Sequence, residues 1–330
     1  RNIYINGRFL TQPKTGVQRF AEELLNEVDR LIADPEYADY QFTCLVPLNS
    51  DAKQFPAWQN IHIKPCGKFN GNLWEQIDLP FNARNGVLVD LCNIGPVFHF
   101  SQIAVIHDAS VFAVPEAYSY TFRLKYKFIY FVLAHNGSKI FTISQFSKKE
   151  LCRFFHIPEE KIRVLPLGCE HILRNQPDDS ILEKFSLGKQ AYFLAVGSES
   201  RHKNLKIVIE AMRDCEEELP TLVIAGGSFS KVFQSEKNIF APNIVRLGYV
   251  TDGQLRSLYE NALGFVFPSL YEGFGLPPLE AMICGCPVLT SNSASLPEVC
   301  GEAALYFDPT SAEDVTVKLR QVATSHSLRD

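Results

Sequence analysis

The sequence predicts an α/β protein made of two Rossmann-like, doubly wound domains facing across a cleft. Three observations carry that expectation. Short β-branched runs alternate with amphipathic helical stretches along the 330 residues, the signature of parallel sheets covered by helices. The length suits two domains at roughly 100–200 residues each. Near the middle, Arg174-Asn175-Gln176-Pro177-Asp178-Asp179-Ser180 has the polar composition of a linker. The expected division is 1–170 and 171–330.

In the first domain, strands are expected at 3–5, 42–46, 61–64, 87–91, 103–106, 139–143 and 163–165, each a short apolar or β-branched run. Helices are expected at 17–33, 73–83, 120–135 and 145–155, where apolar residues recur at helical spacing. In the second domain the strands fall at 192–196, 221–225, 244–247, 264–267 and 288–290. The helices there fall at 205–215, 253–261, 277–284 and 312–323. Sheets of this kind bind ligands outside the carboxyl ends of their strands.

Composition narrows the function classes. Hydrophobic residues make up 46% and charged residues 21%, an ordinary globular balance. A net charge of −5 argues against general nucleic-acid binding, which needs a basic surface. No run of 18 apolar residues offers a membrane-spanning helix. The first residues read as a strand and not as a signal peptide, and a start at Arg1 suggests a trimmed or excised segment. The nine cysteines are scattered without metal-knuckle spacing, so reduced thiols in a cytoplasmic protein are expected, without structural zinc.

The densest chemical signal runs from Phe265 to Met282. An apolar strand ends at Phe267, and a loop with Gly273 and Gly275 lets backbone approach a ligand closely. Pro277 and Pro278 suit the first turn of a helix. That helix N-terminus offers free N–H groups and a positive dipole end, a natural seat for a diphosphate. Glu272 and Glu280 flank the turn and can grip hydroxyls at two ends of one sugar nucleotide. Gly273-Phe274-Gly275 imitates the start of a dinucleotide fingerprint, but Pro278 stands where the third glycine belongs.

Glu272 and Glu280, with seven residues between them, resemble the Glu-x₇-Glu motif of the family-4 glycosyltransferases, which have the GT-B fold. The flanks agree: Leu247-Gly248-Tyr249-Val250-Thr251-Asp252, Glu280-Ala281-Met282, Cys286-Pro287-Val288 and Ser295-Leu296-Pro297-Glu298-Val299. In the first half, Ile3-Tyr4-Ile5-Asn6-Gly7-Arg8-Phe9 and Thr15-Gly16-Val17-Gln18-Arg19 resemble the opening of bacterial surface-polysaccharide mannosyltransferases. The resemblance implies that Glu280 binds the donor ribose and Glu272 the transferred sugar, with the amides of Phe274, Gly275 and Leu276 facing that sugar and the distal phosphate. Tyr249 and Val250 would also lie on the donor side. Solvated helix-start glutamates are the plainer explanation of the pair taken alone; the flanking pattern favours function.

Four further clusters were weighed. In Val196-Gly197-Ser198-Glu199-Ser200-Arg201-His202-Lys203, Lys203 aligns with the family's phosphate-binding lysine. Ser198 stands where many members carry arginine, and Arg201 is expected to substitute. A departing nucleoside diphosphate gathers negative charge and needs a cation placed on it. In Ile106-His107-Asp108, the resemblance brings His107 to the donor sugar; the alternative is a packed imidazole, with Asp108 capping a turn. Gly16 implies a loop over the diphosphate, with Arg19 and Asp108 on the acceptor side, against plain loop and solvated readings. At 118–132, Phe122, Tyr126, Ile129 and Leu133 form an apolar stripe beside Arg123, Lys125 and Lys127. A core-facing helix with a wet basic side is the first reading there, and a surface touching anionic lipid the second.

The expectation is therefore a retaining hexosyltransferase. Its donor is a nucleoside-diphosphate sugar, with GDP-mannose favoured and a UDP-sugar as the alternative. Its acceptor is a saccharide or lipid-linked saccharide at the cytoplasmic face of the inner membrane. No Asp-x-Asp triplet occurs, so neither a metal nor another cofactor is expected. A sugar-nucleotide epimerase and a non-catalytic sugar-nucleotide-binding module are the rivals. Family members continue into a further helix beyond the point where this sequence ends.

Overall fold

In the computed structural model, residues 1–51, 55–198, 200–213, 219–227 and 243–325 are described. The chain divides into two compact units, Arg1–Leu167 and Gly168–Asp330. Each is built on a parallel sheet flanked by helices.

The first unit contains β1 (Asn2–Asn6), β2 (Gln41–Pro47), β3 (Ile61–Cys66), β4 (Val87–Asp90), β5 (Gln102–Val105), β6 (Lys139–Thr142) and β7 (Ile162–Val164). Their order across the sheet is β3-β2-β1-β4-β5-β6-β7, all parallel. The order reverses between β1 and β4. Helix α1 (Gly16–Leu31) follows β1, capped by Thr15 and Gln18 in a reciprocal box. Helix α2 occupies 71–82: helical turns Gly71–Leu73 and Leu79–Asn82 enclose a π-helical segment, Trp74–Asp78. Helices α3 (Tyr120–His135) and α4 (Gln145–Phe155) follow β5 and β6. Buried Trp74, Leu79 and Leu88 pack one part of the core; Ile129, Leu133, Ile140 and Leu151 pack another.

The second unit contains β8 (Tyr192–Val196), β9 (Thr221–Ala225), β10 (Ile244–Gly248), β11 (Gly264–Phe267), β12 (Val288–Ser291) and β13 (Ala304–Phe307). The order β10-β9-β8-β11-β12-β13 reverses between β8 and β11. Its helices are α5 (Leu205–Arg213), α6 (Asp252–Asn261), α7 (Leu276–Ile283) and α8 (Ala312–Thr324). The end of the expected helix 205–215 lies outside the described residues, as does Cys215. The eight described cysteines are free thiols.

Three expectations are corrected. The stretch 174–180 is not a free linker: Arg256 of α6 donates to the carbonyls of Leu173 and Asn175, and Asp178 N–H donates to Gly253 O. Those bonds fasten it to the second unit. Strand β13 follows α7 and β12 unannounced, because its Leu305-Tyr306-Phe307 run is short and bounded by ordinary residues. On α3, Ile129 and Leu133 face the core as expected, but the opposite face is not simply basic. Tyr120, Leu124, Phe128 and Phe131, at helical spacing, are all exposed there beside Lys127.

Candidate active site

The second unit gathers its chemical groups where its strand order reverses. After β8 the chain turns through Gly197, and Arg201–Lys203 forms a single helical turn closed by Asn204 in a left-handed conformation. The basic residues therefore precede α5 instead of opening it. After β11 the chain enters the loop that carries Glu272. Leu270 N–H donates to His202 O at 2.7 Å, which ties the two loops together.

Across that tie, Lys203 Nζ lies 2.6 Å from Glu272 Oε1. The ammonium also sits 5.2 Å from the centroid of the Phe267 ring. Both side chains are half-buried. A cation held this way is preorganised, and Glu272 balances its charge. Arg201 is exposed on the same turn, and Ser198 Oγ lies 2.9 Å from Ser200 Oγ.

The Glu272 loop is fixed from behind. Buried Ser295 Oγ lies 2.9 Å from Glu272 O and 2.7 Å from Phe274 O. Gly275 enters α7 at a φ of 105°, and a Cβ there would stand 2.6 Å from Leu296 Cδ2, so only glycine fits. Gly273, Phe274 and Gly275 are buried. Pro277 and Pro278 supply no N–H to this turn, and Phe274, Gly275 and Leu276 lead into it.

Glu280 lies one turn into α7 and is only 5% exposed. Its Oε1 is 2.8 Å from His171 Nε2, and its Oε2 accepts from Tyr259 OH at 3.2 Å. Burial, then the adjacent Glu280, push the Tyr259 hydroxyl well up, so it remains a donor. A carboxylate has about four acceptor positions. The two protein bonds fix its plane and leave acceptor capacity for a ligand. Tyr249 is 86% exposed after β10, while Val250 packs on the core.

In the first unit the expected residues are placed less openly. His107 does not stand free at a strand end. Its ring is buried, Nε2 lies 2.9 Å from Leu91 O, and Phe20 of α1 meets it edge-on at 4.8 Å. Burial holds its pKa below the ordinary value, so the imidazole is neutral at pH 7. Asp108 Oδ1 accepts Ser110 N–H at 2.8 Å, the capping role weighed as its plainer explanation. Gly16 opens α1 and Arg19 follows one turn inside it, its N–H on Thr15 O.

A pocket of about 520 Å³ with polar and aromatic walls lies at the β1/β4 reversal, and no stretch of the sequence brings its walls together. Asn6 Nδ2 is 2.9 Å from both Glu75 Oε1 and Asp90 Oδ1, and Arg8 Nη1 is 2.6 Å from Glu75 Oε2. Asn6-Gly7-Arg8 directly after β1 was the available signal. Glu75 and Asp90 carried none, nor did His171, which is 109 positions from its partner. No group of three or more metal-ligating side chains occurs among the described residues.

The fold is GT-B. The family Glycosyl transferases group 1 matches residues 178–330. The second unit is thus a group 1 glycosyl transferase domain. It is similar to O-antigen chain mannosyltransferase B of Escherichia coli, 34% identical over 72% of this chain and 66% of the relative. It also resembles O-antigen chain mannosyltransferase RfbU of Salmonella typhimurium, 26% identical over 63% of this chain and 57% of that one. The serotype-specific mannosyltransferase WbdA of Escherichia coli matches at 30% over 57% of this chain. The chain spans from 25% to 66% of the length of these three relatives. Among solved structures, WaaG, a glycosyltransferase involved in lipopolysaccharide biosynthesis, superposes with a TM-score of 0.69 at 16% identity. That match covers 100% of this chain and 92% of WaaG.

Proposed function

We propose that the protein transfers a hexose, with retention of anomeric configuration and without a metal, from a nucleoside-diphosphate sugar to a saccharide or lipid-linked saccharide acceptor. The observation that carries the reading is the Lys203–Glu272 pair beside the N-terminus of α7 at the β8/β11 reversal. In this reading the diphosphate takes Lys203 from Glu272 as the glycosidic bond breaks, with the amides of Phe274, Gly275 and Leu276 beside it. Glu272, released, accepts hydroxyls of the transferred sugar. Arg201 adds charge where Ser198 supplies none. Glu280 accepts from the ribose hydroxyls. The first unit would present the acceptor, and the leaving phosphate would take the proton of its attacking hydroxyl.

GDP-mannose is the favoured donor; the similarity to O-antigen chain mannosyltransferases supports mannose as its sugar. A UDP-sugar is the alternative. Peripheral contact with the cytoplasmic face of the inner membrane is supported by the exposed Tyr120, Leu124, Phe128 and Phe131 of α3 beside Lys127. No described helix is long and apolar enough to cross a membrane.

The test is transfer from GDP-, UDP-, dTDP- and ADP-sugars to a mannose-terminated oligosaccharide in excess chelator. Product configuration is read by proton NMR. Chelator-resistant transfer with retention is expected, with GDP-mannose the best donor. Inversion, or a strict need for a divalent ion, would overturn that part of the reading. Conversion of the sugar nucleotide to an isomer without acceptor would favour an epimerase.

A further inference from the structure

Helix α2 carries an apolar face that no described residue covers. Leu73, Ile77 and Phe81 are spaced by four along it, and each is more than half exposed. Residues so spaced share one side of a helix. The other side of α2 holds Trp74, Glu75 and Leu79, all buried, so the helix is seated on the unit and its stripe is left outside.

The loop after β4 widens this face. Gln76 Nε2 donates to Gly95 O at 3.0 Å, and its Oε1 accepts Val97 N–H at 3.1 Å. Buried His99 places Nε2 3.2 Å from Ala83 O. These bonds lay the loop along α2. Phe98 and Phe100, on either side of His99, are each more than half exposed. At roughly 100–150 Å² of open surface each, the five side chains offer roughly 500–700 Å². A standard interface takes about 800 Å² from each partner, with an apolar core and a polar rim. Exposed Asn72 and Arg84 adjoin the two ends of the stripe and suit such a rim.

Charge selects the occupant. Between Phe69 and Phe100 the charged side chains are Glu75, Asp78, Arg84 and Asp90. Glu75 and Asp90 are buried. Asp78 Oδ2 accepts the N–H groups of Lys68 and Phe69, both at 2.8 Å. The Arg84 guanidinium lies 4.9 Å from the centroid of the Phe81 ring. The face thus carries one exposed cation, laid on one of its own rings, and no exposed carboxylate. An anionic bilayer is held by several lysines and arginines beside apolar side chains, which α2 does not offer. A second copy of the chain asks for the reverse. In a two-fold interface a charge near the axis meets its like, and an uncharged face escapes that penalty.

We propose that α2 and the loop carrying Phe98 and Phe100 form a two-fold interface between two copies of this chain, the helices antiparallel with Ile77 at the axis. Phe81 then packs on the partner's Leu73, and the two Arg84 side chains stand at opposite ends. Phe98 and Phe100 flank the helix pair. The proposal does not depend on the transferase reading, and no transfer assay enters its test.

Sedimentation velocity of the full chain without detergent, from low to high micromolar concentration, is the measurement. Wild type should sediment as a dimer. Ile77→Asp and Ile77→Lys each set like charges across the axis and should weaken dimerisation on the order of 100-fold or more. Mixed in equal amounts, the two variants set opposite charges there and should recover the dimer. Phe98→Ser, off the axis, should weaken it less. Circular dichroism checks folding at these exposed positions, and if Ile77→Asp does not fold, Phe98→Ser decides alone. A wild type that stays monomeric at high micromolar concentration overturns the proposal. So does a dimer that keeps its wild-type strength in both Ile77→Asp and Phe98→Ser, because the contact then lies elsewhere. Vesicles of phosphatidylcholine and phosphatidylglycerol test the other occupant. Binding to them by a monomeric wild type, lost in Ile77→Asp, would assign the face to a membrane and overturn the dimer.

Discussion

The two units solve one geometric problem with different material. Each places its polar groups outside the carboxyl ends of its strands, where strand order reverses: β8/β11 in the second unit, β1/β4 in the first. In the second unit two neighbouring loops supply the Lys203–Glu272 pair, and α7 adds Glu280. In the first unit the pocket draws on β1, α1, α2, the loop after β4 and α3. A cation in the second unit has one carboxylate for a partner. A carboxyl in the first has no cation at all: Asp90 is held by an amide alone among the described residues. The second unit therefore presents a paired cation at its reversal, and the first buries a carboxyl that only an amide holds.

Lys203 gives the strongest way to break that contrast. Negative charge grows on the diphosphate as the glycosidic bond breaks, so a fixed ammonium stabilises the transition state more than the bound donor. Loss of one such preorganised group costs on the order of 10²–10³ in rate. Lys203→Ala should lose that much kcat while still binding nucleotide, and Lys203→Arg should recover only part, because a planar fork replaces a compact charge. Arg201→Ala should cost less. Kinetics at saturating donor, with circular dichroism for folding, decide it. A folded Lys203→Ala protein with wild-type kcat would show that the second unit does not manage charge through this pair.

Glu280 tests the binding side of the same unit. Lost ribose hydrogen bonds act on ground and transition states alike, so Glu280→Ala should weaken GDP binding roughly ten-fold or more by calorimetry. His171 acts through Glu280, at 2.8 Å, by fixing the carboxylate plane. His171→Ala should therefore weaken nucleotide binding by a smaller factor, and His171→Gln, which keeps a donor, should recover part of it. Wild-type GDP affinity in both Glu280→Ala and His171→Ala would leave the ribose assignment without support.

How much of this was legible follows from where the partners lie in the chain. The strand and helix pattern was readable because each element announces itself within a few residues; β13 was missed because Leu305-Tyr306-Phe307 is too short to show a period. Glu272, Gly275 and Glu280 stand within nine positions, so spacing alone could suggest a shared turn. Asn6, Glu75 and Asp90 meet only through sheet register and the π segment of α2, which a linear reading does not supply. His107 shows the opposite failure. Its position after β5 was expected, but the Leu91 carbonyl and the Phe20 ring that bury it come from elsewhere in the chain.

Asp90 sharpens the contrast by stability instead of rate. Its carboxyl is fully buried, Oδ1 accepts from Asn6, and Oδ2 has no partner among the described residues. Burial pushes its pKa well up; the Asn6 bond opposes this, and nearby Glu75 adds to it. The sign follows from the raised value. The folded state binds this proton more tightly than the unfolded chain, whose Asp titrates near 3.9. The stability the proton confers is fully present below about pH 3.9 and is lost as pH rises through the folded-state pKa. Asp90→Asn keeps an oxygen for Asn6 and removes the charge. Its new amide hydrogens lack a partner, which limits the gain to on the order of 1 kcal/mol at high pH. In a domain of this size that is a rise of roughly 2–4 °C in Tm. Calorimetric scans from pH 4.5 to pH 8.5 should show the variant gaining on wild type as pH rises. A difference that stays constant across that range would mean that Asp90 does not titrate there. The uncompensated carboxyl would then have to be discarded as the mark that separates Asp90 from the paired Lys203 and Glu272 of the second unit.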